Sequence, residues 1–261
     1  MPGELLIDRP GDGILRLAIS NPAKRNALDR EILDAIAEQL ASLADVRCVI
    51  LTGRDGMFSS GYDIGELSSE TFPEQAEKLV AHPFCNAFAA LDAVDVPTLA
   101  VLTGSAIGGG LELALACDLR LAGDQIRLGM PPAKLGLVYS HTGLRRFVDA
   151  IGEPRTRELF LLGRYVDART AASWGLVNWV VERDELETNA LELATQLAGN
   201  SPLSMAGNKR VLRELLHAEG ALDPDVEREL LALRASSFQS RDLLEGVSAF
   251  TQKRTPSWKG R

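Results

Sequence analysis

Residues Thr103 to Asp118 read TGSAIGGGLELALACD, the most informative stretch of the chain. Three consecutive glycines, Gly108 to Gly110, lead into an apolar segment that carries one carboxylate, Glu112. A glycine triplet leaves backbone N–H groups without side-chain cover and allows φ/ψ values closed to other residues. A helix beginning at Leu111 puts those N–H groups at its positive end, where they can hold an anion or a developing oxyanion. Glu112 is then either a helix-start carboxylate or a catalytic acid/base.

Outward from this stretch, strands and helices alternate. Upstream, Pro97 to Leu102 and Arg47 to Thr52 (RCVILT) read as buried strands. Gly13 to Ser20 predicts another, after a shorter one at Leu5 to Asp8. Asp29 caps a helix whose Ile32, Leu33, Ile36, Leu40 and Leu43 follow a helical period. Glu74 to Leu91 reads as a helix. Downstream come a helix at Leu111 to Ala116 and strands near Asp118 to Ala122 and Ile126 to Leu128. Gly143 to Ile151 and Pro154 to Leu162 read as helices. Asp167 caps a helix running to Trp174, Gly175 stops it, and Leu176 to Val181 forms a further strand. From Ser201 the pattern is helical only: Leu203 to His217, Pro224 to Phe238 and Arg241 to Lys253, with Pro202 at a first helical position. The expected organisation is an α/β core over 1–200 and a helical region over 201–261.

The totals exclude several classes. The chain has 28 Lys and Arg against 36 Asp and Glu, a net charge of −8, which argues against general nucleic-acid binding. Cys48, Cys85 and Cys117 are far apart, form no CxxC pair and suggest reduced thiols in the cytoplasm. The N-terminus lacks a basic stretch followed by an apolar run, so no signal peptide is expected. No apolar run approaches the ~18 residues of a membrane span.

Familiar motifs fail. Gly104 to Gly109 has P-loop spacing, but Gly110-Leu111 replaces the Lys-Ser/Thr that would serve phosphate and magnesium. Met57 to Gly61 misses the GxSxG nucleophile elbow at its first residue. His82 and Cys85 form an HxxC pair with no second pair, and no metal site is expected. Two glycine-containing loops are left: Phe58 to Leu67 (FSSGYDIGEL) and Gly104 to Leu113 (GSAIGGGLEL). Each lies between a buried strand and a helix. Neighbouring strands would bring both loops to one end, where an N–H from each could hold a single oxygen as an oxyanion hole.

With these loops in view, the chain resembles the enoyl-CoA hydratase/isomerase family, the crotonase superfamily. The marks run in order along nearly the whole chain: Asn21 to Leu28 (NPAKRNAL), Phe58 to Ile64 (FSSGYDI), Gly104 to Glu112, Ala116 to Asp118, Ala171 to Asn178 (AASWGLVN) and Phe250 to Pro256 (FTQKRTP). The resemblance implies a spiral of ββα repeats whose C-terminal helices build trimers or dimers of trimers. It implies an acyl-CoA thioester as substrate and no separate cofactor, since coenzyme A arrives with the substrate. The oxyanion donors would be the N–H groups of Tyr62 and Gly109. Lys24, Arg25 and Ala27 would lie along the coenzyme A phosphates and pantetheine. Ser60, Tyr62, Asp63 and Ile64 would receive the adenine side. Phe250 and Lys253 would close over the nucleotide, as tail positions that can come from a neighbouring subunit.

The family pattern breaks at one place. Hydratases of this family use two glutamates, one to activate water and one to handle the α-proton. Glu112 matches the first, and Pro132 stands at the second. Tyr139 resembles the tyrosine of methylmalonyl-CoA decarboxylase-like members, which also carry an aromatic or His residue where Tyr62 stands. Hydration is the default family reaction, with Glu112 as acid/base and Tyr139 assisting. Decarboxylation of a malonyl-type thioester is the alternative, and a non-catalytic acyl-CoA-binding protein is the alternative of another class. The segment Ser68 to Phe84 is expected to border the acyl pocket, His141 reads as a solvated loop residue, and Asp118 as structural.

Overall fold

The computed structural model describes residues 2–63, 82–220 and 224–257. Among them the β-branched and leucine-rich runs form two sheets. The larger has the order β1 (Glu4–Gly11), β2 (Ile14–Ser20), β3 (Cys48–Gly53), β5 (Thr98–Leu102), β7 (Leu119–Gly123), β10 (Trp179–Val181). The smaller has the order β4 (Met57–Ser59), β6 (Ser105–Ile107), β8 (Arg127–Gly129), β9 (Tyr165–Asp167). β1–β2 and β8–β9 pair antiparallel, and the other pairs are parallel.

The chain winds as the ββα repeat requires. β3 is followed by β4, β5 by β6, and β7 by β8, so each turn lays a long strand in one sheet and a short strand in the other. Helices close the turns: α1 (Arg30–Leu40), α2 (His82–Ala93), α3 (Gly109–Ala116) and α4 (His141–Leu162). Strand alternation decides the two faces of the large sheet. Leu15, Leu17, Val49, Leu51, Ala100 and Leu102 join one core with Ile32, Leu33 and Ile36 of α1 and Leu111 and Leu113 of α3. Ile14, Cys48, Ile50, Leu99 and Val101 face Leu186, Ala190 and Ala194 of a later helix, Leu186–Gly199, which the sequence pattern did not single out. A central parallel strand covered on both faces is apolar throughout, as β3 is.

Several boundaries differ from expectation for identifiable reasons. α3 starts at Gly109, not Leu111, because Gly108 takes φ 56°, ψ −129°, and the turn is complete one residue earlier than a side chain would allow. α4 starts at His141, not Gly143, because the Ser140 hydroxyl caps it by accepting from Gly143 N at 3.1 Å. Its two expected halves meet across Gly152, at φ 73°. The strand expected from Leu176 shortens to Trp179–Val181, since Leu176 N–H closes the preceding helix on Ala171 O at 2.9 Å. The last helix, Arg241–Thr251, stops before Lys253, which has φ 52°. A helix runs over His82–Ala93 within and just past the expected Glu74 to Leu91 helix, and the earlier part of that expectation falls outside the described residues.

Beyond Asn200 the described chain is helical: Pro202–Gly220, Pro224–Phe238 and Arg241–Thr251. Lys209 ties the first of these to the core, donating to Val96 O at 2.8 Å and Asp118 Oδ2 at 2.7 Å. The same carboxylate oxygen accepts from Thr98 N (2.7 Å) and Thr98 Oγ1 (2.9 Å), which gives Asp118 a structural role. The last helix lies on the segment after β8, where Leu243 and Phe238 pack with Leu135 and Leu137.

Candidate active site

The two glycine loops meet. Gly61, at φ 93°, lies so close to the second loop that a Cβ there would stand 2.8 Å from Ile107 O and 3.3 Å from Gly109 N. Leu28 bridges the strand extension on its other side, with Leu28 N donating to Gly61 O (2.8 Å) and Asp63 N donating to Leu28 O (3.1 Å). That ladder geometry turns the N–H of Tyr62 away from Leu28. Gly109 is the first residue of α3, so its N–H has no carbonyl one turn earlier in the helix.

Each glycine of the triplet has its own reason. Gly108 needs its positive φ. Gly109 faces the Phe84 ring, which a Cβ would approach to 2.5 Å. Gly110 sits on Ser59, where a Cβ would come within 2.7 Å of the carbonyl oxygen. The first loop is held in turn by Asn26, which is 1% exposed. Its amide donates to Arg54 O (2.8 Å) and Met57 O (2.7 Å) and accepts from Asn21 N (2.8 Å). Much of the NPAKRNAL motif is therefore a brace for the loop that carries Tyr62.

Glu112 lies one turn into α3 and is 6% exposed. The Tyr139 hydroxyl donates a hydrogen bond to Glu112 Oε2. The Tyr139 ring stands edge-on to Phe160, with centroids 5.4 Å apart. Pro132, at the position where a second glutamate would stand, is buried in the same wall as Met130 and Pro131.

These groups line one cavity of about 1040 Å³. Lys24, Arg25, Ala27, Ser60, Tyr62, Asp63, Gly109, Glu112, Tyr139 and Phe250 all contribute to it. Phe250 reaches it within its own chain. Lys253 is exposed and is not part of the lining. Ile64 lies outside the described residues. His141 does not line the cavity either: its Nε2 is 3.4 Å from Glu227 Oε1 on Pro224–Phe238. Lys24 Nζ lies 2.5 Å from Asp63 Oδ2, so part of its charge is already balanced.

Phe84 lies in the segment expected to border the acyl pocket, whereas Phe88 and Asp92 beyond it were not singled out as lining the cavity. Phe84 and Phe88 of α2 line it with Asp92, one turn further on, and Asp92 forms a bidentate pair with Arg146 at 3.0 and 2.6 Å. Burial works against the Arg146 charge, but the Asp92 hydrogen bonds and nearby Glu112 outweigh it and raise the guanidinium above its ordinary range. The signal was present as Phe84, Phe88 and Asp92 at helical spacing, but nothing in one sequence says which helix face meets a cavity. Among the described residues no group of three or more His, Cys, Asp and Glu side chains could hold a metal ion. Burial pushes the thiols of Cys48 and Cys117 up to about 12, which removes both as nucleophiles at neutral pH.

A family model described as enoyl-CoA hydratase/isomerase matches residues 9–261. The chain belongs to the enoyl-CoA hydratase/isomerase family. It is 34% identical to the 2,3-dehydroadipyl-CoA hydratase of Escherichia coli (strain K12), over 99% of both chains. It is 35% identical to a probable enoyl-CoA hydratase of Mycobacterium leprae, over 96% of this chain and 97% of the relative. A solved methylmalonyl-CoA decarboxylase in complex with 2-nitronate-propionyl-CoA superposes with a TM-score of 0.89 at 27% identity, over 98% of each chain. The mixed α/β architecture of this chain is thus the crotonase fold, and the protein is an enzyme of the hydratase/isomerase type. No described helix is long and apolar enough to cross a membrane.

Proposed function

We propose that the protein is a hydratase-type lyase that adds water to an enoyl-CoA thioester through an enolate. The carrying observation is the approach of the Gly61–Tyr62 loop to Gly109 beside the buried Glu112 carboxylate, in one cavity. The N–H groups of Tyr62 and Gly109 take the thioester oxygen as it becomes an oxyanion. Glu112 takes a proton from water while the water oxygen bonds to Cβ and the double-bond electrons move onto the thioester oxygen. The enolate then collapses, and Cα receives that proton back from Glu112. One carboxylate thus serves both steps, which suits a site with Pro132 where a second would stand. Tyr139 holds the carboxylate in place.

A second reading is favoured by one feature, the Tyr139–Glu112 hydrogen bond beside Pro132. A malonyl-type thioester would lose carbon dioxide by breaking its Cα–carboxylate bond, leave the same enolate, and take a proton at Cα from the Tyr139 hydroxyl, which regains one from solvent. The likeness to methylmalonyl-CoA decarboxylase supports it.

Coenzyme A is read as running from the catalytic groups past Ala27, Ser60 and Asp63, with Lys24 and Arg25 near its phosphates and Phe250 against the nucleotide; no further cofactor is invoked. Lys253 keeps a role only if a bound nucleotide draws the tail inward. A homotrimer or dimer of trimers is supported by apolar exposure on the C-terminal helices, where Leu203, Leu212 and Leu215 are 86%, 60% and 59% exposed. The unpaired cysteines support a cytoplasmic enzyme. We read 1–200 as the catalytic core and 201–261 as the assembly region.

Incubation with crotonyl-CoA and, separately, methylmalonyl-CoA tests the reading by product mass. Gain of one water from crotonyl-CoA supports hydration. Loss of carbon dioxide from methylmalonyl-CoA, with crotonyl-CoA untouched, replaces it with the second reading. Tight binding of both without turnover would make the protein a non-catalytic acyl-CoA binder.

A further inference from the structure

We propose that Gly143 is a positioning residue for the acid/base carboxylate, because only a missing Cβ lets Glu112 and Tyr139 share the space in front of α4. The inference rests on the reading of Glu112 as the acid/base group.

Gly143 is buried in the first turn of α4. Its backbone is helical, so conformation does not ask for glycine. Glycine within a helix is in fact less favourable than alanine. Space supplies the reason. A Cβ at Gly143 would stand 2.8 Å from Glu112 Oε1, 2.6 Å from Tyr139 Cε1 and 2.9 Å from Ser140 Oγ. Two of these three atoms belong to the site.

The neighbours cannot all give way. The Tyr139 ring is held edge-on by Phe160, which stands edge-on to Phe147 with centroids 5.0 Å apart. Ser140 Oγ is engaged as the cap of α4. Glu112 is tied at its backbone, where its N–H donates to Gly108 O at 3.1 Å. Its carboxylate is the flexible end. A methyl group on residue 143 therefore moves that carboxylate, or breaks its bond to Tyr139, while leaving the loops around Tyr62 and Gly109 in place.

The test is Gly143→Ala, assayed on crotonyl-CoA or methylmalonyl-CoA, whichever the wild-type protein turns over. Misplacing a catalytic group by about 1 Å costs on the order of 10²-fold, so a fall in kcat of roughly tenfold to a hundredfold is expected. KM, and binding of a non-hydrolysable thioether analogue of the substrate, should stay within about twofold, since uniform binding is not touched. The melting temperature should hold or rise. In a Glu112→Asp background, whose carboxylate is one methylene further back, the added loss should shrink to less than about threefold. Unchanged kcat, an equal loss in the Glu112→Asp background, or activity lost together with folding would each overturn the proposal. If Glu112→Gln keeps full turnover, the reading of Glu112 itself fails. If Glu112→Gln is inactive and Gly143→Ala fully active, only the positioning role fails.

Discussion

The Tyr139 hydroxyl donates its hydrogen bond to Glu112 Oε2, across the space that faces Pro132. The carboxylate proposed as the acid/base is thereby oriented by a phenol, in a site where Pro132 stands at the second glutamate position implied by the family resemblance. Hydrogen bonds to charged groups are worth about 1.5–3 kcal/mol. Tyr139→Phe keeps the ring packed on Phe160 and removes only the donor. Steady-state assay should show kcat reduced by roughly tenfold to a hundredfold, with KM little changed. An active, unaltered variant would show that Glu112 needs no such partner.

The contact between Gly109 and Phe84 makes a second prediction. Gly109→Ala would set a methyl 2.5 Å from Phe84 Cζ and shift the backbone N–H proposed as an oxyanion donor. Loss of one such donor costs about 10²–10³ in kcat. Gly109→Ala combined with Phe84→Ala should recover part of that loss, measured as kcat on the same thioester.

The Lys209–Asp118 pair makes a prediction about stability rather than chemistry. Lys209→Met removes the ion pair and the hydrogen bond to Val96 O, while Thr98 still donates to Asp118. Removal of a partly buried charged hydrogen bond costs about 1–3 kcal/mol. Thermal denaturation should show a melting temperature lowered by roughly 2–10 °C, with kcat of the folded protein unchanged.

The buried thiols give a pH dependence. Burial raises Cys48 and Cys117 from 9.0 to about 12, while the unfolded chain keeps the ordinary value. Their contribution is complete below pH 9.0 and is lost as pH rises toward about 12, because the unfolded thiols ionise first. Urea midpoints should therefore fall as pH rises above about 9, and fall less in a Cys48→Ala, Cys117→Ala double variant. At neutral pH a thiol reagent should label the exposed Cys85 and reach the other two only on unfolding.

The sequence made the repeat legible wherever apolar runs were long enough to carry a period. β3, α1 and the Asp167-capped helix fall close to expectation because each combines a periodic core with a clear cap. The short strands β4, β6 and β9, three residues each, could not be read from a period, since alternation needs a longer run. Tyr62, Gly109, Glu112 and Tyr139 were legible as motif positions, and the cavity gathers them. Phe88, Asp92, Gly143 and Arg146 were not, because their part depends on which helix face meets the cavity. Lys253 was legible as a tail charge, yet its side of the helix end is set by a left-handed φ that no residue type announces.

Glu112 is the residue proposed to carry the proton, beside N–H groups proposed to stabilise a thioester enolate. The most direct measurement is turnover by Glu112→Gln beside its affinity for a non-hydrolysable thioether analogue of the substrate. A fall in kcat of roughly 10²–10⁴-fold with near-normal analogue binding is the predicted result. Full turnover by Glu112→Gln would contradict the account.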